Sequence, residues 1–326
     1  MAKRILPYLS IIFLLSLFSC QENKEQAISL KSETIINTVP SASGLICKGD
    51  HIWLVGDDAS NIFELNSKNE IINQYQISAM NRMKDGRILK AIKPDFESID
   101  EFDGKLIIMG SGSKEISRDT AVIFSLNERK VFAKKTFRPL FQEFLKMGGF
   151  DSTQSINMEG LASDKENFYL LHRGNICGKN MIFQVSKEQM FQFIESDSLA
   201  KFTIYAFDLP KIDGFQSGFS GACISPDQNY LIYTASVEST SDVYHDGEVL
   251  GSFIGAIPIH GENAWKANAF YPLTKNDTIL KTKLESICVK SVIKNLFNVI
   301  CVSDNDNGES GIYKIQLNWE QFTNQH

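Results

Sequence analysis

The 326-residue sequence has few histidines, no run of basic residues and no apolar stretch long enough for a transmembrane helix. Its five histidines show no HxH or HExxH spacing, and no Gly-x-Ser-x-Gly segment occurs. A serine-hydrolase elbow and a histidine metal motif therefore have no local support. Because the formal net charge is −6 and no basic aromatic face is apparent, we do not expect nucleic acid as a partner.

Cysteine is also scarce, with six residues and neither a CxxC motif nor a recognisable disulfide framework. Cys47, Cys223 and Cys288 fall within apolar segments of the sequence. A thiol in such a segment usually behaves as a small buried hydrophobic group. We therefore expect these three cysteines to be buried thiols.

The first 19 residues resemble a bacterial lipoprotein signal peptide. Lys3 and Arg4 precede an apolar stretch, and Leu17 to Cys20 has the form of a lipobox. The resemblance implies that Cys20 carries acyl chains such as palmitate and that residues 20–31 are a polar tether. Gln21 stands where an inner-membrane retention signal usually has Asp, so we expect an outer-membrane anchor in the cell envelope. An ordinary secretory signal is the alternative.

A small or acidic tripeptide recurs five times, and its middle residues are separated by 54 to 65 residues. A near-constant interval of this size indicates a repeat architecture. The five tripeptides are Ser43-Gly44-Leu45, Glu97-Ser98-Ile99, Glu159-Gly160-Leu161, Ser220-Gly221-Ala222 and Glu285-Ser286-Ile287.

The repeats predict an all-β fold, a single β-propeller of four-stranded antiparallel blades over residues 32–326. Each tripeptide opens a first strand, which a turn, an apolar second strand and a third strand follow. The fifth repeat ends before a fourth strand, and Ser32 to Val39 is expected to supply it and close the ring. Five blades are favoured, and six are the alternative. Short helices are expected at Pro139–Met147 and Ser186–Glu195.

Three of the tripeptides begin with a carboxylate, at Glu97, Glu159 and Glu285. First strands line the channel of a propeller, so we expect these side chains to converge at one mouth. Clustered carboxylates repel one another unless a cation compensates them, and Ca²⁺ prefers oxygen ligands. The alternative is that each carboxylate accepts hydrogen bonds from backbone N–H groups of the next blade.

A second tier of polar residues follows the second strands and is expected on the same face of the ring. It supplies candidate ligand-binding residues, with Asp304 as a further metal ligand. Gly110 to Ser113 is either a Gly/Ser turn that links two strands, which is favoured, or a backbone cradle for an anion. Asp304 to Gly308 fails the EF-hand spacing, because Gly308 stands at position five of the loop. The candidate ligand-binding residues are Asp57, Ser111, Arg118, His172, Arg173 and Glu238.

The motifs resemble those of the phytase-like esterase and SdiA-regulated propeller families, and most closely a family of bacterial lipoproteins found largely in Bacteroidetes. The matching segments are Ser43 to Leu45 with Gly56 to Asp58, Phe96 to Ser98 with Gly110 to Ser113 and Arg118, and Asn157 to Leu161. A looser similarity to calcium-dependent lactonase propellers implies that Glu159 is a metal ligand. Their remaining ligands have no residue-by-residue match in this sequence.

These features lead to one main functional hypothesis and two alternatives. The main hypothesis is a monomeric, lipid-anchored propeller that binds a small-molecule or glycan ligand, or a cation, at the channel mouth. The first alternative is a calcium-dependent hydrolase of phosphoesters or lactones, for which the sequence designates no catalytic residue. The second is a protein-interaction scaffold that needs no cation.

Overall fold

The fold was described from a computed structural model, which covers residues 26–79, 87–152, 154–174, 179–199, 201–240, 247–266, 269–305 and 308–324. The predicted signal peptide and Cys20 lie outside these ranges. Among the described residues, no helix combines the length and apolar composition that a membrane span requires.

Five four-stranded antiparallel sheets make up the blades of the ring. The first strand of the chain and the first blade are β1 (Ile28–Ile36), β2 (Ala42–Lys48), β3 (His51–Gly56), β4 (Asn61–Leu65) and β5 (Ile71–Gln76). The second blade is β6 (Phe96–Phe102), β7 (Lys105–Gly110), β8 (Thr120–Ser125) and β9 (Lys130–Thr136). The third is β10 (Met158–Ser163), β11 (Asn167–His172), β12 (Asn180–Ser186) and β13 (Phe202–Phe207).

A two-stranded ribbon precedes each of the last two blades. The first ribbon and the fourth blade are β14 (Lys211–Ile212), β15 (Phe215–Gln216), β16 (Gly218–Ile224), β17 (Tyr230–Glu238), β18 (Val249–Pro258) and β19 (Ala269–Pro272). The second ribbon and the fifth blade are β20 (Thr274–Lys275), β21 (Thr278–Ile279), β22 (Leu284–Ile293), β23 (Leu296–Asp304) and β24 (Ser310–Asn318).

The innermost strands β2, β6, β10, β16 and β22 contact one another in a closed ring. The five-bladed propeller predicted from the repeats is thus confirmed, and the six-bladed alternative is wrong. The longer intervals between repeats contain the two ribbons and the helices α1 (Arg138–Met147) and α2 (Lys187–Ser196) instead of a further blade. A short helix α3 (Trp319–Thr323) follows the last strand.

The fifth blade is completed by the beginning of the chain, as the sequence predicts. β1 pairs antiparallel with β24, and Ile28 lies opposite Leu317. The strand begins at Ile28, four residues before the segment proposed from the sequence. Pairing of the two ends of the chain in one sheet leaves no open edge between the first and last blades.

Apolar cores fill the space between each pair of adjacent blades. Trp53 and Phe124, for example, belong to the core between the first and second blades. Phe144 of α1 stacks on Phe183 in the core between the second and third blades, with ring centroids 4.2 Å apart. The helices therefore extend these cores and do not form a second domain.

The expectation that Cys47 and Cys288 are buried thiols is wrong. They form a disulfide between β2 and β22, with their Cα atoms 5.9 Å apart. The two residues are separated by 241 positions in the sequence, and they meet because ring closure places the fifth blade beside the first. Cys223 and Cys301 are free cysteines.

Candidate functional site

Each innermost strand contains a β-bulge, and in every blade the bulge falls at the repeated tripeptide. The pairing with the second strand passes from Ala42 to Gly44 in the first blade and from Phe96 to Ser98 in the second. The same shift occurs in the other three blades. The residues skipped in the pairing are Ser43, Glu97, Glu159, Ser220 and Glu285. We call the end of the ring that carries them the bulge face.

The bulges explain why the first tripeptide residues of different blades meet, because a bulge re-aims one side chain. Glu97, Glu159 and Glu285 are all buried. The charge of Glu159 raises the pKa values of both Glu97 and Glu285, so the three carboxylates lie within electrostatic reach of one another. Their convergence was the central geometric expectation from the sequence.

Between the first and second blades, Lys93 joins two carboxylates. Its Nζ atom contacts Asp57 Oδ2 and lies 2.9 Å from Asp95 Oδ1. Asp95 Oδ2 also accepts hydrogen bonds from Ser111 Oγ at 2.5 Å and from Arg118 Nη1 at 2.9 Å. Burial favours a higher pKa for Asp95, but Lys93 and Arg118 outweigh it and hold the value below normal.

Glu97 lies beside this group and differs from it. One carboxylate oxygen each of Asp57, Asp95 and Glu97 lie within 4.8 Å of one another. Within the described ranges, the Glu97 carboxylate has no hydrogen-bond or ion-pair partner, although only 9% of the residue is exposed. Burial, followed by the charges of Glu159 and Asp95, raises its pKa well above the ordinary value.

On the other side of the channel, two cations pair with three carboxylates. Arg173 Nη2 donates to Glu238 Oε2 at 2.5 Å, and its Nη1 atom lies 3.8 Å from Glu159. Lys283 Nζ lies 3.1 Å from Glu285 and 3.6 Å from Glu238. The described partners of Glu159 and Glu285 are side chains, and not the backbone N–H groups of the alternative interpretation.

Burial of so many carboxylates leaves the site short of positive charge and hydrogen-bond donors. It raises the pKa of Asp57 to about 7 and that of Glu285 to about 8, despite the opposing effects of Lys93 and Lys283. In the part of the chain that the structure describes, three buried oxygens, Asp57 Oδ1, Glu238 Oε1 and Glu285 Oε2, accept no hydrogen bond, although Glu238 Oε1 lies 3.6 Å from Lys283 Nζ. The site therefore holds more buried carboxylate than its described cations and hydrogen-bond donors compensate.

The remaining predicted residues have defined places. Asp304 acts electrostatically on both Asp57 and Glu285 and so lies near them. His172 is buried and accepts a hydrogen bond from Asn157 N through Nδ1, and burial lowers its pKa to about 4. The segment from Ser111 to Ser113 is not a cradle for an anion, because its amides donate to Asp95 O, Arg118 O and Ser111 Oγ.

Sequence reasoning missed Lys93, Asp95 and Lys283. Asp95 and Lys283 each stand two residues before a bulged glutamate, as Asn157 does in the third blade. These residues lie just before the strands β6, β22 and β10, so the repeats show the recurring polar position but not where its side chain points. Lys93 lies a further two residues upstream of Asp95 and precedes Pro94.

The family of the chain is defined by comparison with known sequences. Residues 38–317 match the model of a family described as being of unknown function, DUF6929. No curated protein matches the sequence.

Comparison with solved structures shows similarity of fold alone. A glutaminyl cyclase from Myxococcus xanthus is 8% identical, with a TM-score of 0.48, over 89% of this chain and 97% of that one. A virginiamycin B lyase from Staphylococcus aureus is 9% identical, with a TM-score of 0.38, over 89% and 99%. A member of the DUF4221 family from Bacteroides vulgatus is 12% identical, with a TM-score of 0.37, over 86% and 80%.

Proposed function

We propose that this chain, which belongs to the DUF6929 family, binds a cation or the cationic group of a small polar ligand at the bulge face. The observation that carries the proposal is the Glu97 carboxylate, which is buried beside Asp57 and Asp95 and makes no hydrogen bond or ion pair within the described ranges. Lys93 and Arg173 act on it only as more distant positive charges. A buried carboxylate without a partner is costly unless it is protonated or meets a positive charge.

Lys93 shows what kind of group this site accepts. Its ammonium group joins Asp57 to Asp95, and the two carboxylates together raise its pKa despite its burial. Glu97 and Asp57 Oδ1 remain as acceptors for a second positive group. An anionic ligand would meet these carboxylates and be repelled, so a cation is favoured.

A hard divalent ion fits the donor set, which consists of carboxylate oxygens. Ca²⁺ takes oxygen ligands and tolerates irregular geometry, whereas Mg²⁺ demands a near-octahedral arrangement and retains water. Asp57, Asp95 and Glu97 would hold the ion, and Lys93 would balance the remaining charge. Bound Ca²⁺ would supply a fixed positive charge at the channel mouth.

Titration with Ca²⁺ and with Mg²⁺, followed by calorimetry and by thermal melting, tests this proposal. We expect Ca²⁺ to raise the melting temperature of the native chain and a chelator to reverse the effect. Because affinity follows the number of charged ligands, Glu97→Gln should weaken Ca²⁺ binding about tenfold or more. Glu101→Gln is the matched control, since Glu101 lies on the same strand at the opposite end of the ring.

A pair of amino sugars tests the small-ligand form of the proposal. Glucosamine carries an ammonium group, whereas N-acetylglucosamine is neutral, so only the former should bind to a carboxylate site. Equal affinities of the native chain and Glu97→Gln for every cation, or no binding of Ca²⁺, Mg²⁺ or glucosamine, would contradict the proposal. Phosphoester and lactone substrates assayed with Ca²⁺ distinguish a binding protein from the hydrolase, which alone should turn them over.

We also propose that Cys20 is lipidated and that the propeller is anchored in the outer membrane. The support is the Leu17-Phe18-Ser19-Cys20 sequence and the residue after it, Gln21. Metabolic labelling with palmitate should mark the native chain and not Cys20→Ser, while Gln21→Asp should remain labelled and fractionate with the inner membrane. Labelling of Cys20→Ser at the native level would refute the anchor.

A further inference from the structure

The first hairpin of the fifth blade is longer than those of the other blades. β22 continues seven residues beyond the middle residue of its tripeptide, from Ser286 to Ile293, whereas the other innermost strands continue three or four. Even with the bulge between Val289 and Ser291, the extra residues carry the hairpin about 7 to 10 Å further. It extends from the end of the ring opposite the bulge face.

The tip of this hairpin is apolar and flanked by lysines. Val292 is 40% exposed and Ile293 is 62% exposed. Lys290 precedes them and donates to Gly49 O, and Lys294 follows them with φ +57° in the turn. An exposed aliphatic pair between two lysines is typical of a segment that enters the interface of an anionic membrane.

Toward its N-terminus, the chain leaves the ring at the end that carries the hairpin tip and from the same blade. Ile28 pairs with Leu317, Leu317 with Phe297, and Phe297 with Val292, so the four residues form one row across the fifth blade. Three strand spacings separate Ile28 from Val292, which is about 14 Å. Seven residues lie between Cys20 and Ile28, and the eight steps from one to the other can span at most about 28 Å.

We propose that the Val292–Ile293 tip inserts into the surface of the membrane that holds the Cys20 anchor. This proposal rests on the lipid anchor proposed above. Acyl chains at Cys20 bring the fifth blade within a tether length of the lipid, and the hairpin supplies a second attachment in the same blade. Two attachments orient the ring, so that the bulge face and its cation site point away from the membrane into the aqueous space.

The membrane is favoured over other occupants by what lies next to the tip. The segment that leads back to the lipobox leaves the ring at Ile28, in the same row of residues. A second copy of this chain would bring the lysines of two tips together and be opposed by their charge. Anionic lipid headgroups complement Lys294, whereas Lys290 is held by Gly49 O and lies 3.9 Å from Asp50 Oδ1.

Vesicle sedimentation tests the proposal with the chain that begins at residue 20 and carries Cys20→Ser, which removes the anchor. The vesicles contain phosphatidylcholine with phosphatidylglycerol, or phosphatidylcholine alone. We expect binding to the anionic vesicles, and a loss of about tenfold or more when Val292→Ser and Ile293→Ser are combined, because two aliphatic side chains no longer enter the lipid. Lys294→Gln should lower the affinity for anionic vesicles alone, about fivefold.

Phe132→Ser is the matched control, because Phe132 is 63% exposed on the outer strand of the second blade. It should bind vesicles as the native chain does. In a second measurement, Ile293→Trp should show a blue-shifted emission when anionic vesicles are added. Vesicle binding by the double variant equal to that of the native chain, or no binding by either, would overturn the proposal. So would self-association that the double variant loses.

These outcomes are independent of the earlier proposals. Palmitate labelling of Cys20 reports on the anchor, and Ca²⁺ titration of the double variant reports on the bulge face. Loss of vesicle binding with unchanged Ca²⁺ affinity therefore supports the membrane contact by itself. A failed Ca²⁺ titration would not change the conclusion drawn from vesicle binding.

Discussion

Glu97 shows how the position of one residue in a repeat can determine its chemistry. The bulge removes it from the pairing of β6 and β7 and aims it at Asp57 and Asp95. Lys93 and Arg118 hold the pKa of Asp95 below normal against the effect of burial, whereas burial and the charges of Glu159 and Asp95 raise the pKa of Glu97. Two carboxylates that stand two residues apart in the sequence thus have opposite preferences for the proton.

The raised pKa values of the buried carboxylates predict how stability depends on pH. In the folded chain, burial raises the pKa of Asp57 to about 7 and that of Glu285 to about 8. Both pKa values are lower in the unfolded chain. Between the unfolded and the folded pKa values, the folded chain therefore binds more protons than the unfolded chain. Stability should therefore fall as pH rises from 6.5 to 8, by a few degrees in melting temperature. His172, whose pKa is lowered to about 4, acts oppositely only below about pH 6.5.

Glu285→Gln should flatten the decrease above pH 6.5, because the amide does not titrate. Glu128→Gln, at a surface ion pair with Lys130, serves as the control and should retain the native pH profile. An identical decrease in native chain and Glu285→Gln, measured by thermal melting, would show that Glu285 is not the group responsible. Added Ca²⁺ should reduce the decrease, because it stabilises the ionised carboxylates.

The repeats indicated the carboxylates of the site but not their counterions. Equivalent tripeptide positions indicated that Glu97, Glu159 and Glu285 would meet. Lys93 and Lys283 were not foreseen, because a lysine before a strand is normally a solvated surface residue. That Glu97 lacks a described partner follows from distances that no repeat pattern encodes.

The middle residue of each tripeptide is small because the innermost strands of adjacent blades approach one another closely. A Cβ atom on Gly221 would lie 2.5 Å from Ser286 Cα and 2.6 Å from Glu285 O. Both are backbone atoms, which cannot move aside as a side chain can. Gly160 has more room, since its nearest neighbour, Leu171 Cβ, would be 3.1 Å away.

Gly221→Ala should accordingly destabilise the chain by about 1–3 kcal/mol, the usual cost of overpacking. Gly160→Ala should cost less, and the comparison controls for the change in backbone entropy that the two variants share. Urea unfolding measures both. Equal losses in the two variants would mean that contact with the fifth blade does not determine the choice of glycine.

Elements long enough to show a periodic pattern of apolar residues were predicted from the sequence, and shorter elements were not. The apolar second strands and the two ten-residue helices matched their patterns, and Ser186 caps α2 by accepting from Gln189 N. The ribbons β14–β15 and β20–β21 have two-residue strands, and α3 has five residues. Such segments are too short to display alternation or amphipathic spacing.

Two connections, a strand pairing and a disulfide, close the ring between its first and last blades. β1 completes the sheet of the fifth blade, and the Cys47–Cys288 disulfide joins β2 to β22. Cys47 lies three residues after the middle of its tripeptide and Cys288 two residues after. Only knowledge that the fifth blade abuts the first relates these two positions, so counting cysteines could not reveal the pair.

Reduction should therefore weaken the whole ring. A cross-link over so long a loop restricts the unfolded chain, and its loss should cost about 2–4 kcal/mol. Adding dithiothreitol should lower the melting temperature of the native chain but not of a Cys47→Ala, Cys288→Ala double variant. A decrease of the same size in both proteins would mean that the Cys47–Cys288 disulfide is not responsible, and Cys223→Ala, at a free cysteine, is the control.

The pairing of β1 with β24 also dictates the order of events during biogenesis. The N-terminal strand is made first, and the strand it must join is the last to be made, nearly three hundred residues later. The fifth blade can therefore be completed only after β24 has been synthesised, and until then β1 has no strand to pair with. A product truncated before β24 would leave the sheet of the fifth blade with an unpaired edge, which is a site for aggregation.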